Sequence, residues 1–281
     1  MKIAVIVLTY NRPAALLAVL RALAPQCQAS DEVWIADDGS SAENVQRVRD
    51  GLPPFACGLS HVWHPDVGFS AARARNMAAL RAQADYLVFL DGDCVPHPRW
   101  LQQHRTLAES RHFVNGSRVL LSATFTKQVE QGQVALASMT WRDWLRAWLR
   151  GDSNKLTHLV NWPGSVARYQ AKFKWRGIRS CNFGVWRKDY FAVNGFDERF
   201  SGWGHEDADL VLRLHNLGLK RKNGFCATEV FHLWHREQDR GQEQTNRSLL
   251  LARLQDRLVR AKAGLDASPE STEVRVSQWN G

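Results

Sequence analysis

The chain has 281 residues, 44% of them hydrophobic, and a formal net charge of +9. That length allows one large domain or two closely merged ones with a real core. The early apolar run, Ile3 to Leu8, falls far short of the roughly 20 residues that cross a bilayer. Five scattered cysteines (Cys27, Cys57, Cys94, Cys181, Cys226) with no CxxC pair exclude a zinc ribbon or a disulfide frame.

In chain order, "KIAVIVLTY" is an apolar, β-branched run and predicts a strand. "RPAALLAVLRALA" has apolar residues at helical spacing. "EVWIADDGS" predicts a second strand closed by acids and a glycine turn, and "AENVQRVRDGL" a helix ending at Gly51. "LSHVWHP" predicts a third strand, "SAARARNMAALRAQ" a helix and "DYLVFLD" a fourth strand. This alternation predicts an α/β fold with a mostly parallel sheet covered on both faces. In such sheets ligands bind beyond the carboxyl ends of the strands. The polar residues at those ends are Thr9, Tyr10 and Asn11, then Asp37 and Asp38, then Asp91 and Asp93.

Asp91 and Asp93 in "FLDGDCV" are one residue apart after a buried run. Alternate residues of extended chain point the same way, so the two carboxylates repel unless a cation or donors lie between them. Beyond residue 115, "RVLLSATF" predicts another strand. "MTWRDWLRAWLRG" puts Trp141, Trp144, Leu145, Trp148 and Leu149 on one helical face, with Arg142, Arg146 and Arg150 beside it. Two readings stand: a core-packed helix with a solvated face, or a surface helix resting on anionic lipid headgroups. "NRSLLLARLQDRLVRAKAG" predicts a final helix, and "DASPESTEVRVSQWNG" a frayed tail.

In "SGWGHEDADL", Gly202 and Gly204 bracket Trp203, and Glu206, Asp207 and Asp209 follow. Acids in a first helical turn suit the helix dipole, but capping needs no glycine-flanked indole. An indole beside carboxylates suits a sugar, whose apolar face packs on the ring while its hydroxyls meet the acids. In "FHLWH", His232 and His235 are three apart and suit one ion.

"VIVLTYNRP", "WIADDGS", "ARARN" and "VFLDGDCVP" resemble the nucleotide-sugar half of family 2 glycosyltransferases. "CNFGVWRKDYFAVNGFDERFSGWGHEDADLVLRL" followed by "FHLWH" resembles the galactosyltransferase-type region shared with β-1,4-galactosyltransferases and chondroitin polymerases. The likeness covers about residues 1 to 100 and 180 to 237. It implies a GT-A fold with a Rossmann-like sheet and a merged acceptor-binding region. The implied divisions are a nucleotide-sugar subdomain over 1–115, an acceptor-binding and catalytic subdomain over 116–237, and a C-terminal helix and flexible tail over 238–281.

The resemblance also implies roles. Thr9, Tyr10, Arg12, Asp38, Arg75 and Asp91 would bind the nucleotide, with Asp38 accepting the uracil N3–H and Asp37 supporting its loop. Asp93, His235 and His232 would hold Mn²⁺ or Mg²⁺, a mixed carboxylate and imidazole set suiting Mn²⁺ better. Trp203 and Glu206 would contact sugar and acceptor, and Glu206 would stand with Asp207 among the catalytic residues. Asp207 would be the general base, with Asp209 the alternative base though nearer to a structural role at the helix start. The implied enzyme is an inverting, metal-dependent hexosyltransferase using a UDP-sugar and a glycan or glycolipid acceptor in bacterial surface polysaccharide or lipopolysaccharide synthesis. His205 departs from the pattern, where galactosyltransferases often have glycine.

No signal-type segment precedes the first strand, so a cytoplasmic location is expected, peripheral on the inner membrane face. An anionic membrane surface through residues 141–188 is a further expected partner; nucleic acid is not. Two other classes fit these residues less well. A nucleotidyltransferase would need a glycine-rich basic loop that "TYNRPAALL" lacks. A basic membrane- or nucleic-acid-binding protein without catalysis would leave Asp38, Asp91, Asp93, Glu206 and Asp207 without a purpose.

Overall fold

Alternation along the first strand decides how the sheet is covered. In the computed structural model, Ile3, Val5 and Val7 pack on one face with Leu16, Val19 and Leu20, while Ala4 and Ile6 face Ala74, Met77 and Ala78 on the other. Both faces are therefore buried, as a parallel sheet requires. The structure describes residues 1–170, 172–174, 177–178, 180–202, 204–236, 241–267 and 273–279.

The elements are β1 (Ile3–Thr9), α1 (Pro13–Leu23), β2 (Glu32–Asp37), α2 (Ala42–Asp50), β3 (Gly58–Trp63), α3 (Ala71–Arg81), β4 (Tyr86–Asp91), β5 (Cys94–Pro96), α4 (Trp100–Leu107), β6 (His112–Asn115) and β7 (Ser117–Leu120). They continue with α5 (Ala123–Glu130), α6 (Trp141–Leu149), β8 (Tyr169–Gln170), β9 (Asn182–Trp186), α7 (Arg187–Ala192), α8 (Glu206–Asn216), β10 (Lys220–Asn223), β11 (Glu229–His232), α9 (Glu243–Asp256) and β12 (Arg275–Gln278). Pro13 opens α1, where its missing N–H costs nothing.

A nine-stranded sheet runs β12-β3-β2-β1-β4-β9-β6-β10-β8. Strands β3, β2, β1 and β4 are mutually parallel, and β9 joins β4 antiparallel. The parallel arrangement therefore holds for the amino-terminal half, while the other half of the sheet is mixed. The strand order reverses at β1, so the crevice beyond β1 and β4 is the natural ligand site. The register lines up Thr9 with Asp37, and Leu8 with Asp91, at that edge. A second sheet, β5-β11-β7, sets His232 opposite Cys94 and Leu120.

Four expectations change. "RVLLSATF" is a strand only to Leu120, because Ser122 caps α5 by accepting the Phe125 N–H at 3.2 Å. The last helix stops at Asp256, with Arg257 in the left-handed region (φ 45°), instead of running to Gly264. The expected frayed tail returns to the sheet as β12, pairing antiparallel with β3, and Trp279 stacks on His61 at 4.4 Å. An added strand there covers the edge that β3 would otherwise expose.

The fourth concerns α6. Its expected single apolar face is split. Trp144 and Ala147 are buried, with the Trp144 ring stacked on Phe231 at 4.5 Å and 14°. Trp141, Leu145, Trp148 and Leu149 are exposed. At 100° per residue the exposed four occupy an arc beside the buried pair, followed by the arginines. Thr140 and Asp143 form a reciprocal capping box that fixes where the helix begins.

Candidate active site

The loop after β4 is held against β1. The Gly92 N–H donates to Leu8 O at 2.7 Å, and a Cβ at Gly92 would lie 2.7 Å from that same oxygen. Only glycine permits this approach, which carries Asp91 and Asp93 to the mouth of β1. The Asp38 N–H donates to Thr9 O at 2.9 Å and ties the β2 loop to the same place.

A cleft of about 980 Å³ opens there. Its walls include Thr9, Tyr10, Arg12, Asp38, Arg75, Asp91 and Asp93 from the amino-terminal half. The other half contributes Glu206, Asp207, His232 and His235. The structure thus brings together the described residues expected to bind nucleotide, ion or sugar and the expected base. Trp203 lies outside the described residues. Asp209 is buried away from the cleft, accepting from Arg213 Nε at 2.8 Å and pairing with Arg253. Asp37 is buried too, accepting from the Ser40 N–H at 2.8 Å and contacting His61 Nε2 at 2.9 Å.

The acids are held by specific partners. Asp38 accepts from the Ser70 N–H at 3.0 Å and Ser70 Oγ at 2.5 Å, with His64 Nε2 3.2 Å away. Tyr10 Oη donates to Asp66 at 2.8 Å. Arg75, buried on α3, donates to Asp91 Oδ1 at 2.7 Å and comes within 4.0 Å of Glu206. It therefore joins the two halves electrostatically. Arg12 donates to Asp93 Oδ2 at 2.8 Å and to Glu130 at 3.0 Å.

His232 Nε2 is 3.9 Å and His235 Nε2 is 3.4 Å from Asp93 carboxylate oxygens. Donor atoms of Asp93, Cys94 and His232 all lie within 4.8 Å of one another. His235 Nδ1 donates to Arg236 O at 2.8 Å, and Nε2 faces Asp93. A backbone acceptor on the second ring nitrogen is the usual way a ligand histidine is oriented. This donor set fits a divalent ion such as Mn²⁺, and the carboxylate and imidazole chemistry suits it.

At the start of α8, His205 adopts the left-handed region (φ 70°), uncommon for a residue with a side chain. It turns the chain so that Glu206 and Asp207 open the helix. Burial pushes the Glu206 carboxyl up, with Arg75 opposing. Burial first, and the neighbouring Glu206 charge second, push Asp207 up to about 7. The Ala208 N–H donates to Asp207 Oδ1 at 2.7 Å, orienting the group. A carboxylate that titrates near neutrality can take a proton from a hydroxyl and pass it on.

Sequence reading missed Arg118 and Asp66, which line the cleft, and Glu130, the second partner of Arg12. Arg118 carried a signal, being a lone charge in the strand "SRVL"; Glu130 carried none.

Comparison with known proteins bears on this geometry. A family model described as glycosyl transferase family 2 matches residues 4–183, and one described as the N-terminal domain of galactosyltransferase matches residues 164–236. The validoxylamine A glucosyltransferase of Streptomyces hygroscopicus subsp. limoneus is 28% identical over 226 residues, covering 77% of this chain and 48% of that protein. The chondroitin synthase of Escherichia coli is 24% identical over 267 residues, covering 88% and 36%. The chain thus spans less than half the length of these relatives. The solved structure of GalNAc-T7 with UDP, GalNAc and Mn²⁺ shares the fold, with a TM-score of 0.58 at 13% identity over 90% of this chain and 48% of that one. From the matched span and the shared GT-A architecture, the chain belongs to glycosyl transferase family 2.

Proposed function

We propose that the chain is an inverting, metal-dependent hexosyltransferase that moves a sugar of Gal, GalNAc, Glc or GlcNAc type from a UDP-sugar to a glycan or glycolipid acceptor. The acceptor class we favour is a bacterial surface polysaccharide or lipopolysaccharide. One observation carries this reading. A carboxylate raised to about 7, Asp207, shares a cleft with the Asp93, His232 and His235 donor set.

Asp93, His232 and His235 would hold the ion, which when bound offsets the charge that gathers on a departing diphosphate. Asp38, with Thr9 and Tyr10 beside it, would face the base, and Asp91 on Arg75 the ribose. Asp207 would take the proton of the acceptor hydroxyl as its oxygen bonds to the anomeric carbon. The glycosidic C–O bond breaks in the same step, and its electron pair leaves with the diphosphate. One displacement from the back face turns an α-linked donor into a β-linked product. Glu206 would hold sugar hydroxyls while Arg75 balances its charge. Trp203 would pack on the sugar, and His205 would shape which sugar fits. A panel of UDP-sugars with Mn²⁺, scored by UDP release, tests this; silence across the panel counts against it.

A second observation favours a membrane-facing acceptor. Trp141, Leu145, Trp148 and Leu149 are exposed on α6, from 37% for Leu145 to 70% for Leu149, with Arg142, Arg146 and Arg150 alongside. An exposed apolar stripe flanked by arginines suits an anionic bilayer surface. No helix among the described residues is long and apolar enough to cross a membrane. We therefore propose peripheral association on the cytoplasmic face of the inner membrane. Flotation with anionic liposomes tests it, and absence of co-flotation at low salt would count against it.

A further inference from the structure

Two guanidiniums in the cleft are already matched: Arg12 by Asp93 and Glu130, and Arg75 by Asp91. Arg118 is different. It lies on β7, which pairs in parallel with β11 so that Leu120 sits opposite His232. Side chains alternate along a strand, so Arg118 and Leu120 share the face that carries His232, and all three line the cleft. The opposite face of this small sheet carries Val119 and Phe231, and Phe231 packs against Trp144 of α6.

The Arg118 side chain is half-buried, and its Nε is shut off from water with no hydrogen-bond partner. No carboxylate among the described residues pairs with its guanidinium. A dry donor without an acceptor is destabilising. An unmatched cation beside the proposed ion-binding residues calls for an anion, and the anion that position would meet is a phosphate.

We infer that Arg118 binds the terminal phosphate of the nucleoside diphosphate. This rests on the donor reading above and adds a residue to it. The physical need is specific. A divalent ion offsets the charge that the diphosphate of a sugar nucleotide already carries. Cleavage of the glycosidic bond adds a further negative charge to the terminal phosphate. Arg12 and Arg75 are occupied by carboxylates, and Arg236, which also lines the cleft, is exposed, so Arg118 is the half-buried guanidinium placed to receive that added charge. A charge-assisted bond from a planar guanidinium to phosphate oxygens is among the stronger contacts a side chain makes.

The test is calorimetric titration of UDP and of uridine, in MnCl₂, into the wild-type chain and into Arg118→Gln and Arg118→Lys. The glutamine variant should bind UDP about 10- to 100-fold more weakly, from the usual worth of a hydrogen bond to a charged group. Its affinity for uridine should not change, and the lysine variant should recover part of the loss. Unchanged UDP affinity in Arg118→Gln overturns the assignment and leaves the cation to an anionic acceptor. Equal losses for UDP and uridine also overturn it, because Arg118 would then only hold the shape of the pocket. A wild-type chain that binds neither ligand overturns the donor reading itself, an outcome visible before any variant is made.

Discussion

Asp207→Asn separates activity from stability. Asn keeps an oxygen for the Ala208 N–H but carries no charge and accepts no proton. In the folded chain, burial and Glu206 hold the Asp207 carboxyl at about 7, against 3.8 for the free side chain. Because the folded value is raised, the native state keeps a proton that the unfolded chain releases. The stability contributed by this protonated group is full below about 3.8 and is lost as pH rises toward 7. One pKa unit corresponds to about 1.36 kcal/mol, so the wild type should lose about 2–3 kcal/mol relative to Asp207→Asn between pH 5 and pH 8. For a chain of this size that is roughly 5 °C in Tm. Thermal melts of both proteins in EDTA at pH 5 and pH 8 measure it. The variant should bind UDP like the wild type and lose transfer, and wild-type kcat should rise with pH through about 7. A stability gap that stays flat from pH 5 to 8 would refute the desolvation argument, and full transfer by Asp207→Asn would refute the base assignment.

Other outcomes follow from the same geometry. His235→Ala should weaken Mn²⁺ binding at least about 10-fold, read by electron paramagnetic resonance of free Mn²⁺; unchanged affinity would remove His235 from the ion site. On α6, Trp148→Glu with Leu149→Glu should abolish flotation with anionic liposomes while changing stability by about 0.5 kcal/mol or less per site. Trp144→Ala should cost about 3–5 kcal/mol in denaturant melts, because that ring is buried against Phe231. The product formed from an α-linked donor should carry a β linkage by proton coupling constants, and an α linkage would contradict single displacement.

Much of this molecule is written locally. The β-branched run of β1, the acids after β2 and β4, and the glycine of the DGD turn each declare themselves within a few residues, because strand patterning and close backbone approach are short-range constraints. The family resemblance of "SGWGHEDADL" and "FHLWH" implies one site built from both halves of the chain. What stayed hidden depends on distant pairing. Glu130 meets Arg12 across 118 positions of sequence. Strand β12 is ordinary polar sequence until the open edge of β3 is known. The α6 pattern marked an amphipathic helix, yet only packing against Phe231 shows that Trp144 faces inward while Trp148 does not. Arg118 is a lone charge in its strand, and only the pairing of β7 with β11 places it on the wall of the cleft.

The proposal that an ion at Asp93, His232 and His235 clamps a donor diphosphate is tested most directly by titrating UDP into the wild-type chain with Mn²⁺ and then with EDTA, alongside Asp93→Ala. The account predicts saturable binding in Mn²⁺ that weakens at least about 10-fold with chelator and in the variant alike. Binding that ignores both the ion and Asp93, or no binding in Mn²⁺, would contradict it.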